Sequence, residues 1–380
     1  MRANRILYLL NFLMALGYNA VSKILPAFLT TITSSALQIS FVSSAYNIGK
    51  MVSGAAGGMF ADWLGKRNTI LASMAFLGFF SLILTLSSTI EWFILVFFFI
   101  GVFASLFYLT LNSVTTIINK GRAKALSKME MLYQIGFVFG PLIGGAVAAA
   151  MGMVLLFLFW ALLMFVGCVA VLFMNLGEKR TPIRSVARNY ARVIRADPLN
   201  FLLLVVLGVV FLGVAEGARD IIIPLYAIDL GFDILVVGGI FMASAFITMA
   251  GIVPFGHLAD RIGRKPVIII ALLMMALSFL LLEFMNSLIM LAVLTGVLSL
   301  GRTAGLMGAR AFASDISGAE FRATSFAFVE LCLSFGRIGG AMAAGFLKDV
   351  ILIGPTLEAF FWAMIALTVV YSILFAVKRK

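Results

Sequence analysis

Long apolar runs follow one another along this chain almost without pause. Twelve of them, at 6–29, 37–60, 69–87, 92–118, 125–149, 153–176, 199–227, 234–257, 267–285, 288–313, 323–347 and 355–376, approach or exceed the roughly 20 residues that let an α-helix cross a bilayer. The runs are too long, and alternate too little, for the strands of a membrane barrel. The loops between them are short and leave no room for a soluble domain. The expected fold class is therefore an all-α membrane protein with 12 transmembrane helices. Only 12% of the residues are charged, where soluble domains carry about 25%. The first run has a basic start like that of a signal peptide, but it is longer and Lys23 interrupts it. It reads as a first membrane helix that is retained.

A net charge of +12 raises the possibility of nucleic acid. The distribution of the charge points elsewhere. Most of the 28 Lys and Arg lie at the two ends and in the loops 2–3, 4–5, 6–7, 8–9 and 10–11, while the opposite loops hold only Lys348. That pattern sets orientation, and it puts both termini in the cytoplasm of a cell (plasma or inner) membrane. The expected partners are the lipid bilayer, with some affinity for anionic head groups, and a small-molecule substrate; nucleic acid is not expected. Cys168 and Cys332 sit inside apolar runs and read as core packing, with neither a disulfide nor a metal site implied.

The chain also repeats itself. Gly58, Ala61, Asp62, Gly65 and Ile70 return as Gly256, Ala259, Asp260, Gly263 and Ile268, and Pro26 returns as Pro224. Farther on, Arg122, Ala123, Glu130, Gly136, Gly140 and Gly145 return as Arg322, Ala323, Glu330, Gly336, Gly340 and Gly345. Matching blocks about 200 residues apart in one register give two pseudo-symmetric six-helix bundles of like topology. The expected division is an N-terminal bundle at 1–176, a basic cytoplasmic linker at 177–198 and a C-terminal bundle at 199–380. In the linker Arg184, Arg188 and Arg192 fall on one helical stripe, which fits either a short helix on the inner leaflet or a solvated connection.

The block GGMFADWLGKRN, after the second run, and its near copy GHLADRIGRKP, after the eighth, are charged turns in oily surroundings. Their pattern resembles the signature of the major facilitator superfamily, G-x-L-A-D-R-x-G-R-[KR], and the second copy matches it closely. The resemblance implies two bundles that rock about a site at the membrane midplane. It also implies that each turn is a cytoplasmic latch, built here from Gly58, Asp62, Gly65, Lys66 and Arg67 and from Gly256, Asp260, Arg261, Gly263, Arg264 and Lys265. Physically, Gly58 and Gly256 suit close helix approach, Gly65 and Gly263 suit a turn with positive φ, and Asp62 and Asp260 suit helix capping. Trp63 stands where the family usually has Arg, so the first copy lacks one cation.

Gly136, Gly140, Pro141, Gly144 and Gly145 in the fifth run resemble the motif G-x-x-x-G-P-x-x-G-G of the drug–proton antiporter branch. That branch usually carries an Arg in the fourth helix, and this chain has none there; Arg302 lies at the matching place in the tenth.

Ionisable groups inside a bilayer cost about 3 kcal/mol or more, so each calls for a reason. By resemblance, helices 1, 4, 7 and 10 line the cavity and 2, 5, 8 and 11 flank it. Proton-coupling candidates are Glu216 and Asp220, one helical turn apart, then Glu130 and Glu330, whose shallower depth also suits gate pairs with Arg122 and Arg322. Substrate-cavity candidates are Tyr18, Asn19, Lys23, Asn47, Lys50, Asn112, Arg219, Arg302 and Arg337. For the charged ones the alternative is an internal ion pair such as Glu216–Arg219, and for the neutral ones an interhelical hydrogen bond.

The sequence favours a secondary active transporter working by alternating access, with proton-coupled export of amphipathic small molecules leading on the fifth-run motif. The alternatives are a proton-coupled transporter of a small organic anion, on the excess of cations, and a non-transporting sensor or lipid-handling protein. No catalytic residues, metal site or cofactor are expected; a proton gradient supplies the energy, and a monomer suffices. An enzyme is not expected, because the chain shows no phosphate-binding loop and no Ser/His/Asp set.

Overall fold

Single glycines and one proline decide where the helices begin and end. The computed structural model describes residues 2–118, 122–174, 207–284 and 287–377. Within these, the side chains at 2–3, 55–62, 116–118, 122–127, 207, 259–260, 264–265, 311–327 and 374–377 lie outside the described set, as does the linker at 177–198. The described helices are α1 (Arg2–Ser22), α2 (Leu25–Leu29), α3 (Ala36–Leu64), α4 (Lys66–Leu84), α5 (Ile90–Ile118), α6 (Arg122–Leu172), α7 (Leu207–Asp229), α8 (Ile234–Ile262), α9 (Arg264–Glu283), α10 (Leu288–Ile351) and α11 (Ile353–Val377). No strand occurs among the described residues, and eight stretches of them are long and apolar enough to cross a membrane.

The first apolar run becomes two helices. Pro26 opens α2, where its missing N–H removes no helical bond, and the chain turns at Lys23 and Ile24. Gly65 (φ 84°) and Gly263 (φ 89°) each form a one-residue break, between α3 and α4 and between α8 and α9. This is the left-handed region that suits glycine at both charged turns. Gly152 (φ 83°, ψ 165°) interrupts α6 where the fifth run gives way to the sixth.

α10 also holds two runs, the tenth and the eleventh. On a straight helix Arg302 and Arg337 would stand about 50 Å apart. Both instead reach the same carboxylate, and Arg310 pairs with Glu330, so the chain doubles back between 310 and 330.

Lipid offers helices no hydrophobic reason to associate, so close backbone approach and small residues must supply the contact. The fifth and eleventh runs do this in the same way. Gly136, Gly140 and Gly144 lie against the backbone of α1 between Ala15 and Ala20, and Gly336 and Gly340 lie against α7 at Val210–Val214. A Cβ added at Gly144 would stand 1.9 Å from the Ala20 carbonyl oxygen, and one at Gly340 1.9 Å from that of Val214. The opposite kind of surface is plain on the second half of α6. Leu155, Leu158, Leu162, Val166 and Val169 are exposed at helical spacing, an apolar stripe that only lipid or another apolar partner can cover.

The chain divides into two compact units. The first holds Met1–Ser34, Phe41–Ile183 and Ala227–Met242, and the second Ser35–Ser40, Arg184–Tyr226 and Ala243–Lys380. α3 and α8 each give their first turns to the unit that does not hold the rest of the helix.

Candidate functional site

Five charged side chains meet inside the second unit. α7 places Glu216, Arg219 and Asp220 within five residues, so Glu216 and Arg219 fall one turn apart. The two arms of α10 bring Arg302 and Arg337 to the same place. Arg337 donates from Nε to Glu216 Oε2 at 2.7 Å, and Arg302 Nη2 lies 3.1 Å from Oε1. Arg219 Nη2 stands 3.9 Å from that same oxygen. Arg219 also donates from Nε to Asp220 Oδ1 at 2.9 Å and from Nη1 to the Ser299 hydroxyl at 2.7 Å.

The cluster is deeply set. Arg219 and Glu216 are 1% and 4% exposed, and a charge this buried persists only when paired and hydrogen-bonded. Guanidiniums outnumber carboxylates three to two. The Arg302 and Arg337 side chains keep 19% and 18% of their surface. Chemically, such a set can hold a second anion, or can exchange the Glu216 carboxylate for one.

The expected Glu216–Arg219 pair is therefore present, but as the longest of three contacts. Glu330 pairs with Arg310, and Glu130 is exposed and accepts from Gln134 at 2.9 Å. The side chains of Arg122 and Arg322, expected partners of these glutamates, lie outside the described set.

The first unit gathers aromatic and hydroxyl groups. Tyr18 stacks on Tyr46 with centroids 4.8 Å apart and meets Trp160 edge-on at 6.3 Å. Tyr108 meets Tyr133 edge-on at 6.0 Å. The Tyr108 hydroxyl and Trp160 indole N–H are buried with no hydrogen-bond partner among the described residues. Lys50 places its ammonium 5.8 Å from the Tyr46 ring centre, and Lys23 lies 5.5 Å over Phe241. These are cation–π distances.

Two of the neutral candidates bond to main-chain carbonyls of their own helices. The Asn19 amide donates to Ala15 O at 2.7 Å, and its Cβ faces Gly140. The Asn47 amide donates to Ser43 O at 3.0 Å, and Asn112 is exposed.

At the charged turns, Arg67 donates from Nη2 to Leu172 O at 2.7 Å and from Nε to Val171 O at 3.4 Å. It thus satisfies the last carbonyls of α6, the end of a helix dipole that favours a cation. Gly256 departs from expectation: among the described residues nothing lies within 4 Å of where its Cβ would be, so none of them makes a close helix approach there. The side chains of Asp62, Asp260, Arg264 and Lys265, and the packing of Gly58, lie outside the described set; Arg261 is exposed.

The family profile of the Major Facilitator Superfamily matches residues 7–251 and 205–380. The chain belongs to the major facilitator superfamily. It is 22% identical over 358 residues to an uncharacterised MFS-type transporter of Methanocaldococcus jannaschii, covering 91% of each chain. Over 95 residues, 25% of this chain and 24% of the other, it is 35% identical to the class H tetracycline resistance protein of Pasteurella multocida. Among solved structures it resembles the nucleoside transporter NupG, with TM-score 0.84, 15% identity and 99% coverage of both chains. It also resembles a bacterial homologue of the human lysosomal transporter Spinster, with TM-score 0.74, 17% identity, and 98% of this chain and 94% of the other covered. At these identities the structures show the fold alone; the family match is what makes the chain a multi-pass, membrane-embedded member of the superfamily.

Two residues of these clusters, Tyr46 and Ser299, are not among those the sequence points to. Tyr46 was legible in hindsight, one helical turn before Lys50 on the same face. Ser299 carried no signal, since a hydroxyl one turn from Arg302 looks like any other in a membrane helix.

Proposed function

We propose that this superfamily member is a proton-linked secondary transporter that moves a small organic anion by alternating access, with both termini in the cytoplasm. The observation that carries the reading is Glu216 held jointly by Arg302 and Arg337 from the two arms of α10, with Arg219 behind it. A cargo carboxylate or phosphate presents the same acceptor geometry that Glu216 offers, and guanidinium groups favour it bidentately. Cargo binding to Arg302 and Arg337 releases Glu216, which then takes a proton, so the total charge buried changes little. Proton and anion thereby travel through one set of five side chains, with no cofactor and within a single chain.

The second reading, proton-coupled export of amphipathic molecules, draws on the 95-residue likeness to a tetracycline resistance protein and on the Gly136–Gly145 motif. That motif has a sufficient packing role against α1, which weakens it as a mark of export. The test uses the purified protein in liposomes holding a pH dye. Small organic anions, not cationic amphiphiles, trigger proton flux, and Arg302→Gln abolishes it. Flux triggered by cationic amphiphiles alone would replace this reading with the exporter.

A further inference from the structure

The first turn of α3 ends its chain of main-chain bonds on a side chain from a distant part of the sequence. A helix begins with four amides that have no partner inside it. Here Ser35 stands just before the helix, and its hydroxyl accepts from Gln38 N at 3.3 Å. The two amides before it, the first of the helix, go to Asp349. Ala36 N donates to its Oδ1 at 2.7 Å and Leu37 N to its Oδ2 at 3.0 Å, while the Ser35 hydroxyl donates to Oδ2 at 2.6 Å. One carboxylate thus takes three hydrogen bonds from a helix start more than 300 residues away, at the positive end of the helix dipole.

The approach that permits this is made by Gly345, one turn before Asp349 on the same face. A Cβ at Gly345 would stand 2.6 Å from Ala36 O and 2.8 Å from Leu37 Cα, so the two backbones touch. The matching contact in the repeat, Gly145 against Ile234 and Leu235, keeps the close approach but has Ala149 where Asp349 would be. There Asp233 caps its own helix, accepting from Val236 N at 2.8 Å. Among the described residues, the helix-to-helix carboxylate occurs in one repeat and not at the matching place in the other.

We propose that Asp349 is a one-sided clasp, made in the conformation described here and broken when the start of α3 leaves the end of α10. On the orientation read from the loops, this end lies on the outer side of the membrane. The inference rests on the alternating-access reading above. Two properties suit a clasp. Two of the three bonds run to main-chain amides, so they need the close helix approach and vanish together when the helices part. Once parted, the amides and the carboxylate meet water, so the broken state carries no buried orphan.

Spin labels on Ser34→Cys and Val350→Cys, in a chain carrying Cys168→Ala and Cys332→Ala, report the separation in lipid nanodiscs by dipolar spectroscopy. Both labelled positions are exposed. Asp349→Ala lowers the ratio of short to long separations by about tenfold or more, as the loss of charge-assisted bonds requires. Ser35→Ala, which removes one of the three bonds to Asp349 together with the Gln38 cap and leaves the carboxylate in place, lowers it less and in the same direction. If Asp349→Ala does not fold, Ser35→Ala and Asp349→Asn carry the test. Folded variants whose separations match the parent would overturn the clasp. The readout needs no cargo, so it separates the two proposals. Shifted separations in a protein that drives no flux would leave the clasp and remove the transport reading, and unchanged separations with flux intact would do the reverse.

Discussion

Replacing Glu216 by Gln keeps the shape of the side chain and removes its charge. In the parent, the carboxylate has cations at 2.7, 3.1 and 3.9 Å. A unit pair at about 4 Å attracts by roughly 4 kcal/mol at an effective dielectric constant near 20, before desolvation and the mutual repulsion of the arginines are subtracted. Removing one partner of a buried pair costs about 3–5 kcal/mol, since it strands the other charge. Arg302 and Arg337 keep nearly a fifth of their side-chain surface, so the lower end applies, about 3 kcal/mol. Three guanidiniums would then share Asp220 alone within the cluster. For a chain of this length, that cost lowers the melting temperature by about 4–6 °C. Thermal unfolding of the purified protein in nanodiscs measures it. The stronger check is Glu216→Gln combined with Arg302→Gln. Removing the cation restores the balance, so the double variant is more stable than the sum of the two losses by about 1–3 kcal/mol. A melting temperature within about 1 °C of the parent for Glu216→Gln, or strict additivity in the double variant, would refute the claim that the three arginines depend on this carboxylate.

Two adjacent glycines give a sharp contrast. Gly340→Ala puts a methyl 1.9 Å from the Val214 carbonyl and should cost at least about 1–3 kcal/mol, whereas Gly339→Ala meets no described residue within 4 Å and gains up to about 1 kcal/mol from helix propensity; thermal unfolding reads both. Gly152→Ala meets no described atom within 4 Å, so its cost, about 1–3 kcal/mol, comes from the positive φ with extended ψ at the break in α6, and the melting temperature falls accordingly. For Asp349, burial pushes the carboxyl upward, but the Ser35 hydroxyl, the Leu37 and Ala36 amides and the Lys348 charge outweigh it and hold it below its ordinary value of 3.8. A depressed folded-state value means the contact is fully present above the ordinary value and is lost as pH falls through the depressed one. The separation between labels at 34 and 350 should therefore stay constant from about pH 8 to pH 5 and lengthen only below about pH 4; lengthening already at pH 6 would contradict it.

The sequence alone determined the class of fold and much of its internal symmetry. Apolar runs near the thickness of a bilayer leave little choice but membrane helices, because backbone groups in lipid must be satisfied within the segment. The repeated glycines said that two halves pack alike, and the structure has Gly136, Gly140 and Gly144 on α1 as it has Gly336 and Gly340 on α7. Gly65, Gly152 and Gly263 mark breaks because few other residues hold a positive φ cheaply, a local property that needs no partner. Pairing is different. That Glu216 and Asp220 lie one turn apart was legible, but that Glu216 takes Arg302 and Arg337 while Arg219 turns to Asp220 and Ser299 depends on how α10 doubles back. Asp349 shows the same limit. It is a lone acid beside Lys348 in the sequence, and only the approach of Gly345 to Ala36 and Leu37 turns it into the cap of another helix. Helix formation and turn chemistry act over a few residues, so the sequence states them directly. Charge pairing acts over a few ångströms in space, and only the tertiary fold decides which distant residues come that close.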